Sequence, residues 1–123
     1  MFRPTRKELS NKIRDAKAAV QSQSVFLIDQ DVIAEEAIEL GFDITDEFLE
    51  VLAELLEEVS CDDYAGAHPP RKSYKDEIQG LDLFPFLIDS QRFQCRIYFK
   101  FVLDQGALWL VSLHKDRPRK ESP

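Results

Sequence analysis

A guanidinium, a phenol, an ammonium, a hydroxyl and an imidazole fall at alternate positions of two adjoining segments near the end of this chain. In residues 93–103 every second side chain is polar, so Gln94, Arg96, Tyr98 and Lys100 share one face of a strand. In residues 107–114 the run is apolar until Ser112 and His114, again two apart. The set is rich in donors, carries two cations and has no carboxylate. Arg and Lys pair with phosphate oxygens, while His and Tyr move protons, so phosphodiester chemistry is the natural reading. Cleavage of RNA by its own 2′-hydroxyl needs a base for that proton, cations for the phosphate and an acid for the leaving 5′-oxygen. It needs no metal cluster. The same residues also fit a plain solvated strand, since Lys and Arg keep sheet edges soluble.

The two polar sets meet only if the hairpin register allows it. Asp104-Gln105-Gly106 fits a three-residue loop with glycine in the left-handed region. That loop sets Leu103 opposite Ala107, Tyr98 opposite Ser112 and Arg96 opposite His114. Phe99, Phe101, Trp109 and Val111 then point into a core. A slip of one residue would bury the charges, so the apolar face enforces the register.

Tyr98-Phe99-Lys100, followed about a dozen residues later by Ser112-Leu113-His114, resembles the two C-terminal strand motifs of MqsR-type toxins, within the RelE-like messenger-RNA interferases. Upstream, residues 37–43 and the amphipathic segment 47–56 resemble that family's leucine-glycine-aromatic-aspartate motif and the helix after it. Asp62-Asp63-Tyr64 falls where the family has an aspartate-aromatic pair, and Leu83-Phe84-Pro85-Phe86 where it has a short aromatic strand. The likeness covers roughly residues 30–115. It implies a RelE-like fold, metal-independent cleavage of messenger RNA without a cofactor, and control by a protein antitoxin. It puts Tyr98 and His114 as acid and base in either order, Arg96 and Lys100 on the scissile phosphate, and Ser112 beside them. Two positions depart. Ala65 stands where the family often has lysine, and a glutamine that MqsR itself has after a tryptophan is missing from residues 83–86. Lys115 or Arg96 could substitute. Otherwise the chain is a RelE-like fold with a defective site, acting as a protein–protein interaction module.

At 123 residues the chain reads as one domain, 1–123, large enough to bury a core without crosslinks. Cys61 and Cys95 have no zinc or redox spacing and read as thiols in a reducing cytoplasm, with Cys95 on the inward face of its strand. No apolar run reaches membrane length, and the first residues lack the apolar stretch of a secretory signal, so the expected protein is cytoplasmic with no membrane partner. The net charge of −7 opposes nucleic-acid binding at first sight. Its distribution changes that. Residues 21–63 hold fourteen acids and no Lys or Arg, while residues 64–123 hold ten basic residues against seven acids. The hairpin segment is mildly basic.

Upstream elements must position this hairpin. Thr5 with Glu8 three later makes a capping box for an N-terminal amphipathic helix within residues 1–20, its stripe being Leu9, Ile13, Ala16 and Val20. It covers a core or serves as an RNA-binding arm. Residues 25–28 are a short strand or a helix entry. A second helix spans 30–40 and stops at Gly41, where a left-handed residue ends a helix cheaply. A third begins near Thr45 as cap, with Phe48, Val51, Leu52, Leu55, Leu56 and Val59 inward and Glu47, Glu50, Glu54, Glu57 and Glu58 outward. No basic residue at helical spacing neutralises those carboxylates, so the face could receive a basic partner. Residues 62–80 read as a long loop whose Tyr64, His68, Arg71, Lys72 and Lys75 could close over the polar face. Residues 81–88 read as a strand beside the hairpin, irregular at Pro85. The tail 116–123 reads as charged and frayed. The expected architecture is α+β, with N-terminal helices on one face of an antiparallel sheet of three or more strands.

Overall fold

The computed structural model describes residues 3–116; the frayed-tail expectation falls almost wholly outside them. Three helices and four strands form an α+β fold: α1 Arg6–Gln21, β1 Val25–Leu27, α2 Gln30–Leu40, α3 Phe48–Glu58, β2 Phe84–Ser90, β3 Cys95–Asp104 and β4 Ala107–Lys115. Thr5 starts α1 by accepting the Glu8 N–H at 3.0 Å, but Glu8's carboxylate turns to Arg3 rather than completing the box. The expected stripe of α1 is buried, so the helix covers the core. Gly41, at φ 83°, ends α2 and lets the Phe42 N–H return to the Ala37 carbonyl. Before α3 the capping group is Asp43 instead of Thr45: one of its oxygens accepts the N–H groups of Thr45 and Asp46, while Glu47 accepts that of Asp43.

The sheet order is β1-β4-β3-β2, and β1 runs parallel to β4, so the sheet is mixed and not purely antiparallel. A parallel partner needs a long crossover, which the helices and the β2–β3 pair supply. Three residues of β1 carry no direction signal. The helices lie on the face from which Phe84, Phe86, Phe99, Phe101, Leu110 and Leu113 point into the main core. β2, an edge strand, tolerates Pro85.

The hairpin corrects the expected register twice. Asp104 pairs with Ala107, leaving a two-residue turn in which Gln105 (φ 50°) and Gly106 (φ 82°) are both left-handed, the conformation that matches strand twist. This one-residue slip would have reversed the faces, but Val111 is an extra residue in β4, between Leu110 opposite Phe101 and Ser112 opposite Lys100. Beyond the bulge the two changes add to a shift of two residues, which restores the expected faces but changes the partners. Tyr98 therefore faces His114 instead of Ser112, His114 does not face Arg96, and Lys100 faces Ser112. Between turn and bulge only the first shift acts and the faces reverse, so Leu108 and Leu110 fill the helix side, and Trp109 and Val111 lie on the other side with Val102. There residues 71–83 fold over the sheet as a strap. Its two arms are joined by the bonds Ser73 N–H to Leu81 O and Leu83 N–H to Arg71 O, both 2.8 Å, and Ile78 is inserted against Val102.

The carboxylates of α3 are not an open acidic face. Arg92, in the β2–β3 connection, bonds Glu47 and lies 3.1 Å from Glu50 and 3.2 Å from Glu54, while Glu58 accepts the Gln91 N–H. Replacing Arg92 with Ala should cost about 1 kcal/mol, because partly exposed pairs are individually weak but three acids lose one shared cation. Urea unfolding in low and high salt checks this: the deficit should shrink as salt screens the remaining repulsion.

Candidate functional site

Period-two alternation in β3 and the bulge in β4 together set Tyr98, Lys100, Ser112 and His114 on the side of the sheet away from the helices. The Tyr98 and His114 rings stack with centroids 5.1 Å apart and planes at 22°. The His114 Nδ1 lies 2.8 Å from the carbonyl oxygen of Lys115. A carbonyl only accepts, so Nδ1 carries the proton and, in the neutral ring, Nε2 holds the free lone pair. That nitrogen suits a base. Burial raises the Tyr98 phenol above its ordinary pKa of 10 and keeps it protonated, which suits an acid.

A pocket of about 310 Å³ opens at Tyr98, while His114 and Ser112 adjoin its β3 wall without lining it. Tyr98 and Lys100 line it from β3, Pro85 from β2, Leu83 and Arg71 from the strap, and Ala65-Gly66-Ala67 from the loop after α3. Among the described residues no carboxylate lines it, and neither Arg71 nor Lys100 has an ion-pair partner. Burial lowers the Lys100 pKa because the ammonium has lost part of its hydration. An anion entering the pocket would restore what hydration no longer supplies.

The other expected residues take different places. Arg96 follows Tyr98 on the same side but faces Asp89 of β2, at 3.5 Å, so a carboxylate does adjoin the set. Lys115 pairs with Ile97, whose side chain points to the helix side, and so falls out of phase with His114. Tyr64 spends its hydroxyl on the Ala67 carbonyl and sets its ring edge-on to Phe86, shaping the loop behind the pocket. His68 lies 3.2 Å from the Arg3 carbonyl, sets its ring edge-on to Tyr64 and does not line the pocket. Lys72 and Arg3 bond Asp82, and Lys75 bonds Asp29, fastening the strap. Burial alone would raise the Asp82 carboxyl, but these hydrogen bonds hold it below its ordinary value. Of Tyr64, His68, Arg71, Lys72 and Lys75, the loop residues expected at the polar face, Arg71 alone lines the pocket. Among the described residues no three His, Cys, Asp or Glu side chains converge where they could hold a metal ion.

Sequence reasoning missed Leu83, Pro85 and Gly66 as pocket residues. The signal for Pro85 was the phase of its strand, which places it across from Lys100. A Cβ at Gly66 would come 2.5 Å from the Tyr64 hydroxyl and 2.8 Å from Pro85 Cδ, atoms that a packed ring and a strand hold in place. Gly66→Ala should therefore destabilise by about 1–3 kcal/mol through overpacking and weaken anion binding in the pocket. Denaturant unfolding and a phosphate titration measure the two effects separately.

Compared with protein-family models and with curated proteins, the chain matches none. No helix among the described residues is long and apolar enough to cross a membrane.

Proposed function

We propose that this face is the site of a metal-independent endoribonuclease that cleaves messenger RNA in the cytoplasm, as RelE-like, MqsR-type toxins do, under control of a protein antitoxin. One observation carries the reading: Tyr98 and His114 are direct cross-strand neighbours beside two cations, Lys100 and Arg71, that have no acidic partner among the described residues. In this reaction His114 Nε2 takes the 2′-hydroxyl proton, and the 2′-oxygen attacks phosphorus. Lys100 and Arg71 hold the phosphate as negative charge builds, and Tyr98 gives its proton to the departing 5′-oxygen. The products are a 2′,3′-cyclic phosphate and a 5′-hydroxyl.

The test is incubation of purified protein with a long unstructured transcript in excess chelator, beside Lys100→Gln, with fragment ends analysed. Cuts by wild type that leave cyclic phosphates, and that are strongly reduced in the variant, support the enzyme. Intact RNA, with and without ribosomes, rejects it. A second reading has its own observation: Ala65 lines the pocket where the resembling family often has lysine, removing one cation from the site. On that reading the fold is an interaction module that binds a protein and cuts nothing.

A further inference from the structure

The aromatic pair at the other end of the same sheet face has no part in the reaction above. Phe26 of β1 is 48 % exposed and stacks on Trp109 of β4, with ring centroids 4.7 Å apart and planes at 27°. Burying a phenylalanine ring against a neighbour normally removes it from water; here the stack leaves about half of the ring uncovered on an edge strand. From the bulge the pair belongs to the side that carries Lys100, Ser112 and His114. Trp109 opposes Val102, and Ser112 opposes Lys100 two ladder positions further on; with Phe26 two strands across from β3, its backbone lies about 12 Å from that of Lys100. A cation site without acidic partners among the described residues and an exposed aromatic surface at this separation are the two parts of a single-strand binding face: charge holds the backbone, and a ring holds a base.

We propose that Phe26, backed by Trp109, is a stacking platform for a nearby unpaired base of the strand whose phosphate Lys100 and Arg71 hold. The inference rests on the nucleic-acid reading of the site and adds its substrate class: single-stranded RNA whose neighbouring base is splayed out, with an RNA duplex excluded. Stacking is indifferent to base identity, since every base has a π-face, so the platform supplies affinity and placement without a sequence preference. Trp109 keeps the Phe26 ring in place by stacking from beneath. Phe26 touches no reacting atom and is a positioning residue.

The experiment is equilibrium binding of a short fluorescent RNA analogue lacking 2′-hydroxyls, which cannot be cleaved, followed by anisotropy. Wild type, Phe26→Ala, Phe26→Leu and Lys100→Gln are compared on an intact analogue and on analogues abasic at one position each, with circular dichroism as a folding check. Phe26→Ala should weaken binding about five- to a hundredfold, the range seen when a stacked base loses its ring. Phe26→Leu keeps apolar cover over Trp109 and should still lose most of that affinity. One abasic position should cost wild type a similar factor and cost the Phe26 variants almost nothing more, the non-additivity expected of two groups in contact. Abasic penalties that are the same with and without Phe26 overturn the platform. In that outcome the cation site still stands if Lys100→Gln weakens every analogue. No binding of any analogue by folded wild type overturns both.

Discussion

Tyr98→Phe and His114→Ala should each lower RNA cleavage by roughly a hundredfold or more, the usual size of an acid–base contribution, while both variants stay folded. Phenylalanine keeps the ring that stacks on His114 at 5.1 Å and removes only the hydroxyl, so a large loss in this variant isolates the proton donor from the packing. Because the two groups serve one phosphodiester, the double variant should be little worse than either single one. An interaction module would lose little in any of them. The pH profile separates Lys100 from the pair. Burial lowers its pKa from the ordinary 10.5, so its charge is lost before pH 10.5 as pH rises, and cleavage should fall on that alkaline limb. Burial shifts Tyr98 the other way, upward from its ordinary 10, so the two groups answer a Lys100 substitution differently. Lys100→Arg, whose guanidinium stays charged, should push the limb to higher pH. The stability linkage of Lys100 has its own sign. A folded pKa below the unfolded one favours the folded state above pH 10.5, and that stabilisation is lost as pH falls through the lowered value. Rate and stability should therefore move in opposite directions between those two values. Initial cleavage rates and urea unfolding across the alkaline range test both.

The helices, the apolar stripes and the polar face were legible because each is written in a local period: 3.6 residues for Leu9, Ile13, Ala16 and Val20, and two for Arg96, Tyr98 and Lys100. What local periodicity cannot carry is pairing. The alternation of β4 is broken by Val111, and no residue type marks that position as the extra one, so the faces of Trp109 and Val111 came out reversed. The glycine of the turn was read correctly as left-handed, but Gln105 joins it, and two such residues make a shorter loop than one. Long-range electrostatics was hidden for a similar reason. Arg92 answers Glu47, Glu50 and Glu54 from more than thirty positions away, where helical spacing rules do not reach. The same blindness made the pocket only half visible. Tyr98, Lys100 and Arg71 announce themselves by chemistry, whereas Pro85, Leu83 and Gly66 matter only for the shape they give.

Shape is where the largest stability effect is expected. Phe86 has no exposed surface, and its ring stacks 5.8 Å from Phe99 and 5.7 Å from Phe101, with Tyr64 edge-on at 6.0 Å. Phe86→Ala removes a side chain that strands and loop all contact, and should cost about 3–5 kcal/mol. For a domain of this size that is a large part of the total, about 5–15 kcal/mol, and urea unfolding should show a midpoint far below wild type with a similar slope. Phe86→Leu keeps most of the volume and should cost far less. The loss should also reach the site. Pro85, next in the chain, opposes Lys100, and its carbonyl accepts the Ala65 N–H, so strand and pocket loop share one attachment. When Phe86 shrinks, Tyr64 loses the ring it leans on and the loop from Ala65 to Ala67 loses its support. Folded Phe86→Ala should accordingly bind phosphate more weakly than wild type, although the substituted side chain lies on the opposite side of the sheet from Lys100. Equal phosphate affinity in the two folded proteins would mean that Pro85 and the strap hold the pocket without help from the aromatic core.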